Sequence, residues 1–419
     1  MIYRNITPKI TEALADSPVV LLNGARQTGK STLTQWIASE IHSARYITLD
    51  DAGILAAIRH DPAGFVSGLE GNVVIDEVQR APELFFAIKT AVDRNRKPGR
   101  FLLTGSANIM LLPRLSESLA GRMEIISLWP FSLGEIEGVK EGFVDTLFED
   151  ILFSQIKIKE NQDSIIQKIL TGGYPEVLYR KTSGRQKAWF SSYITTILQR
   201  DVRDIANIEG LTMMPRLLSL LAVRTATLLN FADISRSIGI PQSTLKRYMS
   251  LLETTFLVQI LPAWFTNLSK RLVKAPKLIL NDTGLIAHLI GLNEERMKTD
   301  AGNFGQLLES FVAIELKKQI SWSNTQPQMF HYRTQTGQEV DIVLENAAGK
   351  IVGIEVKASS TITGKDFKGI RALSEAIGKR FHRGIVFYTG TENIPFGKYL
   401  NALPISYLWT YGTKKQNRK

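Results

Sequence analysis

GARQTGKS, residues 24–31, is the stretch of this sequence that decides the fold. The octapeptide matches the pattern G-x-x-x-x-G-K-[ST] at every fixed position. An apolar run at residues 19–22 precedes it, and a segment with helical character follows it. Glycines let the backbone turn its N–H groups onto a phosphate, and the start of the next helix adds a partial positive charge. A glycine-rich turn without a ligand is the alternative, but the strand-loop-helix context favours nucleotide binding.

This loop predicts the residues that hold a nucleotide, with ATP as the expected ligand, and its Mg²⁺ ion. Lys30 would reach the β- and γ-phosphates, and Ser31 would bind Mg²⁺ through its hydroxyl. The backbone N–H groups of the loop would converge on the β-phosphate. The predicted nucleotide-binding residues are Gly24, Ala25, Arg26, Gln27, Thr28, Gly29, Lys30, Ser31 and Thr32.

A second strand, at residues 72–77, ends in two acidic residues. Its β-branched run is typical of a strand buried in a parallel sheet. Asp76 would hold Mg²⁺ through a water molecule, and Glu77 would activate the water that attacks the γ-phosphate. An acidic pair that stands alone at a strand end is more often a solvated turn. Downstream of a phosphate loop the pair favours catalysis, and Glu77 then implies hydrolysis as well as binding.

A third strand, at residues 100–108, ends in small polar residues that could sense the γ-phosphate or position the attacking water. Ser106 is the preferred candidate, and Thr104 and Asn108 are its rivals. The pattern predicts a polar sensor at this strand end but does not choose among the three by itself.

One arginine is a candidate for a catalytic contact between subunits. Arg122 follows a predicted helix and precedes the apolar strand at residues 125–128. The charge that the γ-phosphate carries in the transition state favours a guanidinium supplied in trans. A surface arginine, or one paired with Glu124, is the equal alternative. Arg114 is the next candidate for the same role.

The composition predicts a multidomain protein with a polyanionic partner. A chain of 419 residues, 44% of them hydrophobic, supports about two to four domains with full cores. The absence of cysteine excludes disulfides and thiolate zinc sites. We expect a cytoplasmic protein without a membrane span, because no apolar run has the required length. The net charge of +11, part of it in the tail at residues 414–419, favours DNA as the partner.

Four domains are predicted along the chain. Residues 1–145 form an α/β layer with a parallel sheet and the nucleotide at the carboxyl ends of its strands. Residues 146–208 form a helical lid, which the Gly-Gly-Tyr-Pro run at residues 172–175 interrupts. Residues 209–282 carry a winged-helix pattern. Residues 283–419 form a nuclease-like α/β domain with a basic tail.

The winged-helix segment offers a candidate surface for DNA. Apolar residues recur at helical spacing within residues 242–253 and predict a buried face, with polar and basic residues opposite. A wing-like loop would follow a strand at residues 256–261. The candidate DNA contacts are Ser243, Lys246, Arg247, Lys270 and Arg271, with Gln242 and Lys274 beside them. A lid or protein-binding module is the alternative, so a protein partner stays open.

The last domain carries a second chemical pattern. Asp341 lies on one predicted strand, and Glu355 and Lys357 lie two apart on the next, as in the D-x(n)-E-x-K core of a metal-dependent nuclease. The two acids would hold Mg²⁺ or Mn²⁺, while Lys357 would orient water. Glu309, on an upstream helix, is a further acidic candidate. The predicted order continues with a helix at residues 365–377 and strands at residues 384–388 and 405–409.

Together these motifs resemble a family of bacterial and archaeal AAA-type ATPases. Members of that family combine a P-loop AAA+ core with a winged helix and a PD-(D/E)xK nuclease-like C-terminal domain. The resemblance covers nearly the whole chain and rests on these runs: GARQTGKS at 24–31, VVIDE at 73–77, LTGSAN at 103–108, LAGR at 119–122, TGGYP at 171–175, QRDV at 199–202, and the EVD and EVK strands. It implies ATP hydrolysis, a helical lid, and a homo-oligomer with a hexamer as the candidate assembly.

Three functions follow from the motifs and the resemblance. The preferred one is an ATP-driven, DNA-binding motor or remodeller that acts on branched or broken DNA. The second is an ATP-regulated, metal-dependent DNA nuclease for repair or defence, built on Asp341, Glu355 and Lys357. The third is a signal-transduction ATPase switch, in which Pro175 would lie near the adenine.

Overall fold

The computed structural model describes residues 2–107, 119–156, 160–202, 211–267, 271, 274–412 and 414–415. Within these residues, the N-terminal part contains a parallel sheet of five strands in the order β2-β3-β4-β1-β5. The strands are β1 Val19–Asn23, β2 Arg45–Thr48, β3 Val73–Asp76, β4 Phe101–Gly105 and β5 Met123–Ser127. The central strand β1 is buried along its whole length, as its unbroken apolar sequence predicts.

Helices cover both faces of this sheet. They are α1 Thr7–Asp16, α2 Lys30–Glu40, α3 Ala52–His60, α4 Pro62–Ser67 and α5 Leu84–Arg94. One apolar cluster packs α3 to α5 against one face, and a second packs α1 and α2 against the other. The phosphate loop therefore lies between the buried central strand and a packed helix. The α/β core with a parallel sheet is as predicted.

Further helices follow the sheet, and three of them lie in the segment predicted to form the lid, residues 146–208. They are α6 Leu133–Glu137, α7 Phe143–Thr146, α8 Gln162–Thr171, α9 Pro175–Leu178 and α10 Ser183–Thr196, and α10 continues into a π-helical turn over Ile197–Val202. A short strand, β6 Val139–Lys140, pairs with β15 Lys414–Lys415 near the end of the chain. The Gly-Gly-Tyr-Pro run lies between α8 and α10, where the sequence predicted an interruption.

Three helices and a hairpin form the central module. They are α11 Met214–Val223, α12 Phe231–Ile238, α13 Gln242–Thr254, β7 Val258–Leu261 and β8 Lys277–Leu280, with β7 and β8 antiparallel. Helix α13 buries the predicted apolar face and exposes Ser243, Lys246 and Arg247.

The loop between β7 and β8 differs from the projecting wing that the sequence suggested. The N–H of Trp264 donates to the carbonyl of His331 at 2.6 Å, and the N–H of His331 donates to the carbonyl of Pro262 at 3.0 Å. Trp264 is almost fully buried. A large aromatic side chain gains more by burial than by exposure, so this part of the loop docks on the neighbouring sheet.

The C-terminal part combines helices with a mixed sheet. Its helices are α14 Thr283–Leu289, α15 Glu294–Thr299, α16 Ala301–Trp322, α17 Lys368–Ile377 and α18 Tyr407–Thr410. Its strands are β9 Gln328–Arg333, β10 Glu339–Glu345, β11 Ile351–Val356, β12 Phe381–Tyr388, β13 Ile394–Gly397 and β14 Leu400–Pro404. Among the described residues the sheet has the order β13-β14-β12-β11-β10-β9.

The prediction of a strand at residues 405–409 is wrong. The last strand of the sheet, β14, ends at Pro404, and the chain then turns into α18. The N–H of Leu408 donates to the carbonyl of Ile405 at 3.1 Å, which is a turn contact. Tyr407, Leu408 and Trp409 are all buried, so a continuous apolar run arose here from a buried helical turn.

One apolar cluster extends from the lid through the central module into the C-terminal sheet. It contains Leu133 beside α16 and continues to Ile354 of β11 and Trp409 of α18. The boundaries of the four predicted domains stay predictions, and this core crosses all three of them. No helix among the described residues is both long and apolar enough to span a membrane.

Candidate functional site

The phosphate loop has the backbone of an anion-binding turn. Gly24, Gln27 and Gly29 have positive φ values of +148°, +63° and +90°. A Cβ on Gly24 would lie 2.2 Å from the carbonyl oxygen of Leu128, so a side chain is excluded there. A Cβ on Gly29 would meet nothing within 4 Å, because this side of the loop is open. Such a concave run of backbone N–H groups at a helix start suits a phosphate.

Lys30 is buried in the first turn of α2 and folds back over the loop. Its ammonium donates to the carbonyl oxygens of Gly24 at 3.0 Å and Ala25 at 2.9 Å. The hydroxyl of Thr28 donates to the same carbonyl of Ala25 at 2.9 Å. The positive charge thus lies at the mouth of the loop, where the sequence predicts the β- and γ-phosphates.

A buried arginine supports the loop from outside the motif. Arg4 donates to the carbonyl of Thr28 at 3.1 Å and to that of Trp129 at 2.5 Å. Its Nε also lies 3.2 Å from a carboxylate oxygen of Glu135, which is itself buried. Sequence reasoning missed Arg4, because its partners are distant along the chain.

The two predicted Mg²⁺ ligands converge on one tyrosine. The Tyr46 hydroxyl donates to Oδ2 of Asp76 at 2.7 Å. Burial and this carboxylate raise the pKa of Tyr46, and a hydrogen bond with Ser31 acts in the opposite direction. The hydroxyl of Thr104 donates to the other oxygen of Asp76. A serine hydroxyl and a carboxylate brought together beside the loop are the hard oxygen ligands that Mg²⁺ prefers, so these residues fit the ion.

Glu77 and Ser106 are tied together by a residue that sequence reasoning missed. The Gln79 amide donates to the Glu77 carboxylate, and to the Ser106 hydroxyl at 2.8 Å. The amide oxygen of Gln79 accepts the N–H of Ser106 at 3.3 Å. The Ser106 hydroxyl lies 3.4 Å from the same oxygen of Glu77. The predicted base and the preferred sensor are therefore neighbours, and Gln79 follows the acidic pair by two residues.

Of the two rival sensor candidates, Thr104 lies beside the acidic pair. Thr104 binds Asp76 and also accepts the N–H of Glu77 at 3.1 Å, so its hydroxyl orients the acidic pair. Glu77 itself has a φ of +63°. Asn108, like the second arginine candidate Arg114, lies outside the described residues.

Arg122 lies just before the edge strand β5. Its guanidinium forms an ion pair with Asp93 and donates to the carbonyl of Ala120 at 3.1 Å. The alternative pairing with Glu124 is therefore wrong, because Asp93 at the end of α5 takes that place. About a third of the side chain stays exposed at this edge of the sheet.

The lid contacts the phosphate loop through a chain of hydroxyls. The Tyr193 hydroxyl donates to the carbonyl of Arg26 at 3.3 Å and lies 2.8 Å from the hydroxyl of Tyr174. The Asn281 amide donates to Tyr174 at 3.0 Å. Pro175, the predicted adenine neighbour, begins α9 directly after Tyr174.

The central module also contacts the loop. Ala25, Trp129 and Phe256 form a small buried cluster, in which the two aromatic rings lie 5.8 Å apart at an interplanar angle of 82°. Phe256 follows the end of α13 and has a φ of +60°. The helix with the exposed Ser243, Lys246 and Arg247 is therefore linked at its C-terminal end to the phosphate loop.

One candidate DNA contact, Arg271, does not join that exposed face. Arg271 forms an ion pair with Glu345 at 2.7 Å and donates to the carbonyl of Phe265 at 2.6 Å. Its guanidinium also lies over the rings of Trp264 and Phe330, so it is not available to a phosphate. Lys270 lies outside the described residues.

The predicted nuclease residues lie together at one end of the C-terminal sheet. Asp341 Oδ2 accepts the N–H of Val356 at 2.9 Å, and Glu355 accepts from the Lys357 ammonium at 2.9 Å. Burial and the Asp341 carboxylate raise the pKa of Glu309 to about 7 and that of Glu355 to about 8. Asp341, Glu355 and Lys357 line an open cleft of about 410 Å³ that also has Lys365 and Lys368 at its wall.

A lysine from the central module enters this group. The ammonium of Lys277, the first residue of β8, lies 2.6 Å from Oε1 of Glu309 and 3.5 Å from Oδ1 of Asp341. In the part of the chain that the structure describes, no group of three or more His, Cys, Asp or Glu side chains is arranged to hold a metal ion. Sequence reasoning missed Lys277, because a lysine at a strand start gives no local signal.

Three family models match the chain. Residues 16–137 match an AAA domain, residues 162–296 a domain of unknown function (DUF8612), and residues 304–408 another domain of unknown function (DUF4143). An uncharacterized protein of Mycobacterium tuberculosis is 31% identical over 412 residues, which cover 98% of this chain and 85% of that protein. An uncharacterized protein of Haemophilus influenzae is 24% identical over 71% of this chain and 74% of its own.

Solved structures show a looser likeness. The Holliday junction branch migration motor RuvB of Thermotoga maritima is 20% identical and has a TM-score of 0.30, with 61% of this chain and 88% of that chain covered. Drosophila ORC bound to AT-rich DNA and Cdc6 is 10% identical over 68% of this chain and 90% of its own, with a TM-score of 0.21. The family model over the sheet and the relative that spans nearly the whole sequence show that this chain belongs to a family of AAA-type ATPases.

Proposed function

We propose that this protein is an ATP-hydrolysing, DNA-binding motor or remodeller that acts on branched or broken DNA. The buried cluster that joins Ala25 of the phosphate loop to Phe256 after α13, with Trp129 as its third member, carries the proposal. A loop that adjusts to nucleotide would displace Phe256, which follows the exposed basic helix by two residues. The second contact, from Tyr193 to the carbonyl of Arg26, links the lid to the same loop.

The side chains around the loop supply the hydrolytic site. Bound ATP with Mg²⁺ would provide the phosphoryl group that is transferred to water. Lys30 would bind the phosphates, and Ser31 and Asp76 would hold the ion. Glu77 would orient and deprotonate the water beside Ser106, while Gln79 fixes their separation.

A second subunit would complete the site. Arg122 lies at the edge of the sheet, and its ion pair with Asp93 is an exposed pair of the kind that is weak in water. Exchange of Asp93 for a neighbour's γ-phosphate would bring the guanidinium to the transition-state charge. This role requires a homo-oligomer, with a hexamer as the expected assembly.

DNA would bind on the exposed face of α13. Ser243, Lys246 and Arg247 share that face, and Lys274 is exposed after the docked loop. The positive net charge of the chain favours such a contact. Metal-dependent cleavage is the second candidate function: Asp341, Glu355 and Lys357 line one cleft, and a metal ion there would have to displace the Lys277 ammonium from Asp341.

Steady-state ATP hydrolysis with and without DNA tests the proposal. We would compare duplex, single-stranded and four-way-junction DNA in the presence of Mg²⁺ and examine the same reactions for cleavage on a gel. Stimulation by one form of DNA without cleavage is expected. Slow turnover that ignores every form of DNA would refute the motor and favour the signalling switch. Cleavage would favour the nuclease.

A charge-matched pair of variants locates the DNA surface. Replacing Lys246 and Arg247 by alanine should weaken DNA binding and lower the slope of log affinity against log salt by about 2. The control replaces Arg94 and Lys97, two exposed residues on and after α5, and should leave the slope unchanged. Equal slopes for both double variants and the unmodified protein would remove α13 from the interface.

A further inference from the structure

Lys277 occupies the place in the C-terminal acidic cluster where a nuclease would hold its metal ion. Its side chain is almost fully buried, and its ammonium contacts both Glu309 and Asp341. It comes from β8 of the central module, and the acids come from α16 and β10. The cation is therefore supplied across a junction between two parts of the chain.

Two further carboxylate oxygens of the cluster also accept hydrogen bonds. The second oxygen of Asp341 accepts the backbone N–H of Val356, and one oxygen of Glu355 accepts the Lys357 ammonium. A divalent ion needs several oxygen ligands at about 2.0–2.6 Å around one point. Here two ammonium groups hold the carboxylates instead, so the residues do not fit a metal in this arrangement.

The position of Lys277 is fixed by its neighbours. Its backbone pairs with Leu261 across the hairpin, and an isolated bridge joins it to Leu228. At the far end of the same strand, Asn281 donates to Tyr174, and Asp282 accepts the N–H of Gly173 at 2.7 Å. A four-residue strand held at both ends leaves its first side chain little freedom to withdraw.

We propose that Lys277 is the resident cation of the Glu309–Asp341–Glu355 cluster and excludes Mg²⁺ and Mn²⁺ from it. The nuclease-like part of the chain is then a non-cleaving module whose acids bind the central module. This inference needs neither ATP hydrolysis nor DNA binding, so it can fail or hold independently of the proposed motor.

Mn²⁺ binding to the full chain without nucleotide tests the inference, with electron paramagnetic resonance as the readout. In Lys277→Met the ammonium is lost and a similar apolar stem is kept, so one Mn²⁺ site should appear, at least about tenfold tighter than any in the unmodified protein. Adding Asp341→Asn to that variant should abolish the new site. Lys277→Arg keeps the charge and should behave as the unmodified protein.

A comparison without any change at Lys277 guards against a variant that does not fold. The unmodified protein and Asp341→Asn should bind Mn²⁺ equally, because the cluster takes no metal in either. A site in the unmodified protein that Asp341→Asn removes would overturn the proposal. A folded Lys277→Met that gains no site would overturn it as well.

Discussion

Replacing Gln79 by alanine is expected to lower kcat for ATP about 10- to 100-fold and to leave nucleotide affinity nearly unchanged. The Gln79 amide contacts the Glu77 carboxylate and both polar groups of Ser106. A hydrogen bond to a charged group is worth about 1.5–3 kcal/mol, and about 1.4 kcal/mol corresponds to tenfold in rate. Because Gln79 touches no residue of the phosphate loop in these contacts, the loss should fall on turnover.

The assay combines steady-state kcat with equilibrium binding of a fluorescent ATP analogue. The same substitution is also made in Glu77→Gln, where the base has already been neutralised. If Gln79 acts by positioning Glu77, its removal there should change the residual rate much less, since effects of residues that act as a unit are not additive. Gln162→Ala, at the exposed start of α8, serves as the control.

Two results would refute this reasoning. An unchanged kcat in Gln79→Ala would mean that the Glu77 carboxylate does not need the amide. A full and additive loss in the Glu77→Gln background would mean that Gln79 acts by another route, for example through the fold around β4.

The other predictions concern the subunit interface and the C-terminal cluster. Glu77→Gln and Arg122→Ala should each be inactive. A mixture of the two should regain activity, because Arg122 of a neighbouring subunit can complete a site that keeps Glu77. No recovery in mixed assemblies would exclude an arginine supplied in trans. Glu355 has a folded pKa of about 8 against an ordinary value of 4.5. A raised carboxyl pKa favours the folded state below pH 4.5 and loses that contribution as pH rises through 8. Urea unfolding of Glu355→Gln should therefore show a flatter dependence on pH across this window, and an unchanged dependence would contradict the shift.

The parts of the site that sequence reasoning predicted depend on local patterns. The strand before the phosphate loop and the strand that ends in Asp76 are unbroken apolar runs, because buried parallel strands have no polar face. The glycines of the loop are required by backbone geometry at Gly24, where a Cβ would strike Leu128. Such constraints act within a few residues and are visible in one sequence.

The parts of the site that sequence reasoning missed depend on contacts between residues far apart along the chain. Arg4 reaches Trp129, and Tyr46 reaches Asp76, across 125 and 30 residues. Lys277 reaches Glu309 across 32 residues. A charged or phenolic side chain has no periodicity that reveals its partner, so only the packed chain brings these groups together. The docked loop at Trp264 was missed for the same reason.

The junction between the N-terminal sheet and the C-terminal helix α16 would limit the motion of the proposed motor. Lys318 forms a buried ion pair with Glu315 at 2.6 Å and donates to the carbonyl of Phe131 at 2.8 Å, while Glu315 accepts the N–H of Leu133 at 2.9 Å. Lys318 and Glu315 both belong to α16 and would move together, so a swing would break the two charged hydrogen bonds to the segment at residues 131–133, which cost about 1.5–3 kcal/mol each. A wide swing of α16 away from Phe131 is therefore disfavoured. Motion of the proposed motor is then better placed at Tyr193 of the lid segment, which contacts the phosphate loop through a hydrogen bond of 3.3 Å to the carbonyl of Arg26.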